Sequence, residues 1–425
     1  VRDTTLQIEA LFAEAERAQA DDRRQDLKRA LEGVLQLSPA HPRALNSLGN
    51  LALATGDIIA ARRSFELATA SDPNAPAIWL NLAIANRALT DIEGEIAALD
   101  RALELDPYMV YALLQKAQWM ERHATEQSAA RIYKALMDCG PPMELLPPTV
   151  KAAILHGQQV IADYQDRLIH CVQKATSGLD VHSPRFDAAI DLLAGRQKLY
   201  IQRPSGLHFP FLPALPFFDP SLFSWLAELE AATNFIRNEL LALISRDSNF
   251  APYIALPAGV PVNQWGGLNH SLNWSALFLW KDGQRIEETA SLCPRTSALI
   301  EKLPLLDIPG RAPTVMFSAL KPSTHIPPHT GVTNTRSVIH LPLIVPSGCA
   351  FRVGPTTREW QLGKAWVFDD TIEHEAWNNG DQLRVILIID VWNPLLSADE
   401  RSLIRAAVCG LAKHGADDYD RNFHI

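Results

Sequence analysis

Two histidines and one arginine have the residue types and spacing to do chemistry. His329 sits in Pro327-Pro328-His329-Thr330-Gly331, and His374 in Phe368-Asp369-Asp370-Thr371-Ile372-Glu373-His374-Glu375. Arg384 follows His374 by ten residues and opens the apolar run Val385-Ile386-Leu387-Ile388-Ile389. Neutral imidazoles are ligands for first-row divalent metals, and a guanidinium fork matches a carboxylate. Two imidazoles and a downstream arginine, all on strand-type sequence, give the ligand order of a mononuclear Fe(II) site whose co-substrate is a small dicarboxylate.

Strand alternation adds polar partners to these three. The patterns predict strands at Ser275–Trp280, Thr314–Leu320, Arg336–Val345, Ala350–Val353, Ala365–Phe368 and Arg384–Trp392. With a side-chain period of two, Ser318 shares a face with Met316 and Leu320. Arg336 points with His340, and Arg384 points with Ile386, Ile388 and Asp390. A barrel interior receiving Ser318, Arg336, His340 and Arg384 is unusually polar, and buried charge is costly without a partner. An anionic dicarboxylate and a metal cation are such partners.

The elements that must position these residues occupy the second half of the chain. Prolines multiply from Pro204 onward and short strands follow, the pattern of a sandwich or jelly roll. One helix is expected over Pro220–Ser245, and a capping box at Ser397-Ala398-Asp399-Glu400 leads into a final helix near Arg401–His414. The first third is different. Ser38-Pro39, Asp72-Pro73 and Asp106-Pro107 recur every 34 residues, with Pro141 in phase, which is the tetratricopeptide period. Leu45, Leu48, Gly49, Ala52, Ala61, Phe65, Ala68 and Pro73 make the clearest unit. Helical patterns at Val150–Val172 and Phe186–Leu199 cap the array. The expected division is therefore residues 1–143 as repeats, 144–200 as a helical cap or linker, 201–396 as a jelly roll, and 397–425 as a helix and tail. The sequence leaves open whether the array is a support or a concave surface that grips an extended peptide.

Composition bounds the rest. The apolar fraction of 47% and charged fraction of 20% are those of globular proteins. A net charge of −9 with no Lys/Arg block argues against nucleic acid as a partner. No apolar window reaches the ~18 residues of a membrane span, and Val1–Thr5 begins no apolar leader. Five cysteines, an odd number without a CxxC pair, read as reduced thiols of a cytoplasmic protein. The oligomeric state is not legible.

Several motifs in fixed order resemble the aspartyl/asparaginyl β-hydroxylase family. They are His329-Thr330-Gly331-x2-Asn334-x-Arg336-x3-His340-Leu341-x-Leu343, Phe368-Asp369-Asp370-x3-His374-Glu375-x-Trp377 and Arg384-x5-Asp390-Val391-Trp392-x-Pro394. Trp274-x5-Trp280-x2-Gly283 and Pro294-x-Thr296-x3-Ile300-Glu301-Lys302 add to it upstream, and the resemblance covers roughly residues 200–396. Founding animal members also carry tetratricopeptide repeats ahead of the catalytic domain. The resemblance implies an α+β chain, with a helical solenoid followed by a double-stranded β-helix that uses Fe(II), 2-oxoglutarate and O2. It implies His329 and His374 as iron ligands, Ser318 and Arg384 on the distal carboxylate of 2-oxoglutarate, and His340 as a co-substrate contact.

The chain departs from the family at Val338, where the animal enzyme has an arginine; Arg336, which also has a counterpart there, is the candidate replacement. Gly331 stands where most Fe(II) oxygenases have Asp or Glu, so water is expected in that facial position. Asp369 and Asp370 read first as a plain turn and second as groups orienting a ligand. His325 reads as loop polarity, Glu373 and Glu375 as solvated or paired, and Trp274, Trp280 and Trp377 as pocket or core. The implied activity is hydroxylation of an Asp/Asn-type side chain in a peptide or protein, with succinate and CO2 as co-products. The alternatives are a lipid or small-molecule hydroxylase with the same chemistry, and a non-catalytic repeat scaffold.

Overall fold

The computed structural model describes residues 2–246 and 250–413. The chain divides into two compact units, residues 1–196 and 197–425.

The first unit is helical. Its helices are α1 (Arg2–Ala20), α2 (Arg24–Leu37), α3 (Pro42–Thr55), α4 (Ile58–Ser71), α5 (Pro76–Ala88), α6 (Ile92–Leu105), α7 (Val110–His123), α8 (Glu126–Cys139), α9 (Pro148–Thr176) and α10 (Pro184–Ala194). Helices α3, α5 and α7 begin 34 residues apart, as do α4, α6 and α8. Proline occupies the first turn of α3 and α5, where its missing N–H is no loss. The second helix of each pair opens on a side-chain cap: Asp57 accepts from the Ala60 N–H, Asp91 from Gly94 and Thr125 from Ser128. Helices α2, α4 and α6 stop just before the phased prolines, as the 34-residue period requires. Small residues set the helix spacing. Ala61, Ala83, Ala98 and Ala102 are buried with Phe65 and Leu99 in one core. A Cβ on Gly49 would lie 2.4 Å from the Phe65 ring.

The second unit carries two antiparallel sheets. Strands β1 (Ala251–Pro252), β2 (Trp274–Lys281), β4 (Val315–Leu320), β11 (Arg384–Trp392), β6 (Arg336–Ile344) and β9 (Trp366–Phe368) neighbour one another in that order, with β3 (Gln284–Arg285) on β2. The smaller sheet runs β5 (Thr324–His329), β10 (His374–Asn378), β7 (Cys349–Val353), β8 (Thr356–Glu359). From β4 onward the chain alternates between sheets so that first pairs with last, the strand order of a double-stranded β-helix.

The larger sheet is buried on both faces, one apolar and one carrying polar side chains. Phe317, Ile339, Leu341, Leu387 and Ile389 join the core built with Leu229, Ile236 and Leu240. Those three residues come from helices α11 (Leu226–Ala231) and α12 (Thr233–Ser245). The other face turns Ser318, Val338, His340, Arg384 and Ile386 toward a cavity between the sheets.

Three elements differ from expectation. The helix over Pro220–Ser245 is broken into a 3-10 turn at Pro220–Leu222 and then α11 and α12, separated at Ala232. There Glu230 bonds the Ala365 N–H at 2.9 Å and Lys364 at 3.0 Å. Strand β5 was not among the strands delimited from the pattern, and it contains Pro327 and Pro328. It tolerates them as an edge strand, where an N–H on the open side needs no partner. Strand β10 was hidden by the charges of Glu373 and Glu375. The capping box at Ser397 and Glu400 forms in both directions and starts α15 (Ala398–Lys413). The expected helix end at His414 lies outside the described residues. No helix among the described residues is long and apolar enough to cross a membrane.

The Gly49–Phe65 contact makes a direct prediction. Gly49→Val should overpack the α3–α4 interface and cost roughly 1–3 kcal/mol. Urea unfolding followed by far-UV circular dichroism should show a lower midpoint for the helical unit, and an unchanged midpoint would refute the packing account.

Candidate active site

The register of β5 against β10 creates the site. His374 pairs directly with His329 across the two strands, with a register shift immediately after. The imidazole centroids are 4.1 Å apart, with the rings inclined at 55°. Each Nδ1 is matched to a main-chain carbonyl, that of Pro327 at 2.8 Å for His329 and that of Ile372 at 3.0 Å for His374. A neutral ring that donates from Nδ1 keeps its Nε2 lone pair for a ligand. Trp265 packs against the His329 ring at 5.1 Å. Burial depresses both imidazoles, His329 to about 3, helped by the neighbouring His374, and His374 to about 4.

Arg384 is the other buried extreme. It is 1% exposed, and its Nε and Nη1 have no hydrogen-bond partner. Trp360 lies 4.8 Å from its guanidinium carbon, and burial lowers its pKa to about 10. Ser318 is two residues along β4 from Leu320, the cross-strand partner of Arg384. The Ser318 hydroxyl accepts from the Trp274 indole N–H at 3.2 Å, which leaves its own proton to give. His340 is held between Phe351 and Phe368 at 4.9 and 4.7 Å. Its Nδ1 has no partner, and burial holds its pKa well below the usual value.

Arg336 also faces the cavity, but its two terminal nitrogens are turned to carboxylates, with Nε left unpartnered. It bonds Asp370 and lies 3.7 Å from Asp390. Burial opposes the charge, yet the two carboxylates keep its pKa above the ordinary value. Asp390 in turn accepts from the Thr314 N–H at 3.1 Å.

The Asp369–Asp370 segment is more than a surface turn. Asp369 is fully buried and bonded to Thr371 and to the Gln202 amide. Burial raises its carboxyl to about 6, against the pull of these bonds. Asp370 stands beside the first histidine: a Cβ on Gly331 would be 2.0 Å from its Oδ2. The carboxylate that a side chain at 331 would supply is thus displaced by one from another segment. Gln202 belongs to a strap sewn onto both histidine loops. Arg203 donates to Thr371 O, Ser205 to Gly331 O and Gly206 to Val332 O, at 2.8, 3.1 and 2.8 Å.

All six residues singled out as metal or co-substrate contacts line one cavity: His329, His374, Ser318, Arg336, His340 and Arg384. Trp274 lines it too, whereas Trp280 is in the helix-facing core. His325 lies on β5 and pairs with Glu375 at 2.8 Å, while Glu373 and Glu375 both bind Arg352. Sequence reasoning missed Tyr253, Trp360 and Gln202. Gln202 is 167 residues from Asp369, and no local pattern reports such a pairing.

Two predictions follow from this geometry. The unfolded chain protonates its histidines near 6.5, whereas the folded rings stay neutral to about pH 4. Stability therefore falls as pH drops through that window, with Asp369 opposing in part. Mn(II) affinity, read by calorimetry, should stay flat from pH 8 to about 5; a loss centred near 6.5 would contradict the burial of the rings. Gly331→Asp should collide with Asp370 and lower the melting temperature, without the gain in metal affinity that a free third carboxylate gives. A tighter site would show that Asp370 can move away.

Residues 230–394 match the family model described as aspartyl/asparaginyl beta-hydroxylase, and residues 9–76 and 46–110 match a tetratricopeptide repeat model. The human aspartyl/asparaginyl beta-hydroxylase is 36% identical over 180 residues, which is 42% of this chain and 22% of that protein. The ornithine lipid ester-linked acyl 2-hydroxylase of Rhizobium tropici is 36% identical over 185 residues, 43% of this chain and 62% of that one. The human aspartate beta-hydroxylase domain-containing protein 2 is 31% identical over 208 residues, 48% and 54% of the two chains. The matches thus span less than two thirds of each of these relatives. Residues 230–394 are a domain of the aspartyl/asparaginyl β-hydroxylase family, and in this chain tetratricopeptide repeats precede it.

Proposed function

We propose that this domain is an Fe(II)- and 2-oxoglutarate-dependent hydroxylase. The observation that carries the reading is a buried guanidinium with unpartnered N–H groups in the same cavity as two imidazoles 4.1 Å apart whose Nδ1 atoms are taken by carbonyls. A buried cation without a partner is expensive, and a dicarboxylate chelated at the imidazoles supplies one. The donor set suits the metal: two neutral nitrogens, locked in one tautomer by carbonyls, with open positions remaining.

In this reading His329 and His374 hold the metal. Arg384 binds the distal carboxylate of 2-oxoglutarate, Ser318 donates its hydroxyl to the same group, and Trp360 fixes the guanidinium plane. His340, neutral and aromatic-packed, offers Nδ1 to the co-substrate. Arg336 positions Asp370 beside the metal rather than taking the place of an arginine at Val338. The walls Trp274, Phe351 and Phe368 keep water out. Bound there, Fe(II) with 2-oxoglutarate and O2 supplies the oxidation: one oxygen atom enters the substrate C–H bond as hydroxyl, and the other leaves in succinate as CO2 is lost.

The substrate class that accompanies the family is an Asp/Asn-type side chain in a peptide or protein, with the repeats as a surface that could present it. The Rhizobium relative, named for acting on a lipid acyl chain, supports a second reading with the same residues and chemistry.

Anaerobic addition of Fe(II) and then 2-oxoglutarate should produce a metal-to-ligand charge-transfer band that His329→Ala and His374→Ala both lack. Retention of 2-oxoglutarate turnover by either variant would remove the ligand assignment. Arg384→Met should weaken 2-oxoglutarate binding by about 1.5–3 kcal/mol. The same change should leave the protein without co-substrate as stable or more stable, because a desolvated charge is gone. A large drop in melting temperature would instead give Arg384 a structural role.

A further inference from the structure

The charge content of the cavity bears on what can enter it. Among the described residues, the charged side chains that line it are two cations, Arg336 and Arg384, and two anions, Asp370 and Asp390. Arg336 lies between the two carboxylates, while Arg384 faces no carboxylate. The wall as a whole is therefore neutral. A divalent metal and a 2-oxoglutarate dianion leave that balance unchanged.

Once Arg384 is engaged, the remaining lining cation among the described residues is Arg336, whose Nε is unpartnered but whose charge is outnumbered by two carboxylates, so a second carboxylate there meets net negative charge. Asp370 and Asp390 share that one guanidinium, and Asp370 Oδ1 has no hydrogen-bond partner, so this side of the wall carries an excess of negative charge. The remaining wall is largely apolar, with Trp274, Met316, Ile326, Val338 and Ile388, and Tyr253 and Thr314 are neutral polar members. A charged group moved from water into such a wall without a partner is strongly disfavoured.

We propose that the group hydroxylated by this domain carries no carboxylate, and is a carboxamide-bearing or aliphatic C–H group. The inference rests on the hydroxylase reading above and narrows it. Within Asp/Asn-type side chains it selects asparagine, and it is equally met by an acyl chain.

Anchored probes test the charge rule without knowledge of the natural substrate. Pyridine-2,4-dicarboxylate chelates a metal through its ring nitrogen and one carboxylate, and offers a second carboxylate to Arg384. Its 3-carbamoylmethyl and 3-carboxymethyl derivatives differ only in the charge of the added arm. Binding of all three to the full-length protein loaded with Mn(II), which supports no turnover, is read by calorimetry at pH 7.5. The carbamoylmethyl compound should bind at least tenfold more tightly than the carboxymethyl one. Equal or tighter binding of the carboxymethyl compound overturns the proposal. So does binding of the parent alone, because the cavity then admits no arm beside the co-substrate. Failure of the parent to bind in a metal-dependent way removes the oxygenase reading itself, a distinct result. Val338→Arg, which adds a cation to the wall, should reverse the preference. A folded V338R that still favours the carboxamide shows that charge is not the cause. If it does not fold, the comparison on the unaltered protein decides.

Discussion

Everything at the site depends on the register between two short strands. The pairing of His374 with His329 sets two rings 4.1 Å apart on one side of the smaller sheet. In a strand a slip of one residue turns a side chain to the opposite face, so a shift here would send one imidazole away from the cavity. The pair is fixed from both ends. The main-chain bond from Gly331 to Asp370 closes one end at 2.6 Å, and the Asn378 amide ties the other to Leu320 O at 2.9 Å and Gln382 O at 2.8 Å. The first anchor is a main-chain bond and the second a short, fully buried side chain on main-chain carbonyls, and neither has the freedom of a long side chain.

The two arginines that face the cavity divide two tasks. Arg336 is neutralised by Asp370 and Asp390 and so serves as a fixed part of the wall. Arg384, more deeply buried, is left with open N–H groups. Sequence alternation puts both on the same kind of face and gives no means to tell them apart. What separates them is the neighbourhood: Arg336 ends near the segment that carries Asp370, whereas Arg384 ends among Trp360, Ser318 and Cys349. Those neighbours come from separate segments of the chain, and their convergence is a property of the closed fold.

Much of the architecture was legible because it is periodic. The 34-residue spacing and the phased prolines locate the helix ends, and period-two alternation locates β2, β4, β6 and β11 with the polar residues on their inner faces. The elements that escaped notice break a local rule for a tertiary reason. Strand β5 carries two prolines because it is an edge, and β10 carries Glu375, with Glu373 just before it, because Arg352 neutralises both. Asp369 and Asp370 look like turn residues from their types alone. Their burial depends on Gln202 and Arg336, partners that lie far away along the chain.

The strap at residues 202–206 lies upstream of residue 230, where the family match begins, yet it is hydrogen-bonded to the loops behind both histidines. The functional unit is therefore wider than the region of recognisable kinship. A fragment cut at the edge of that kinship would expose the Thr371, Gly331 and Val332 carbonyls to solvent and strip Asp369 of its amide partner. It would retain every residue of the cavity wall while losing the scaffolding that holds the two rings in place.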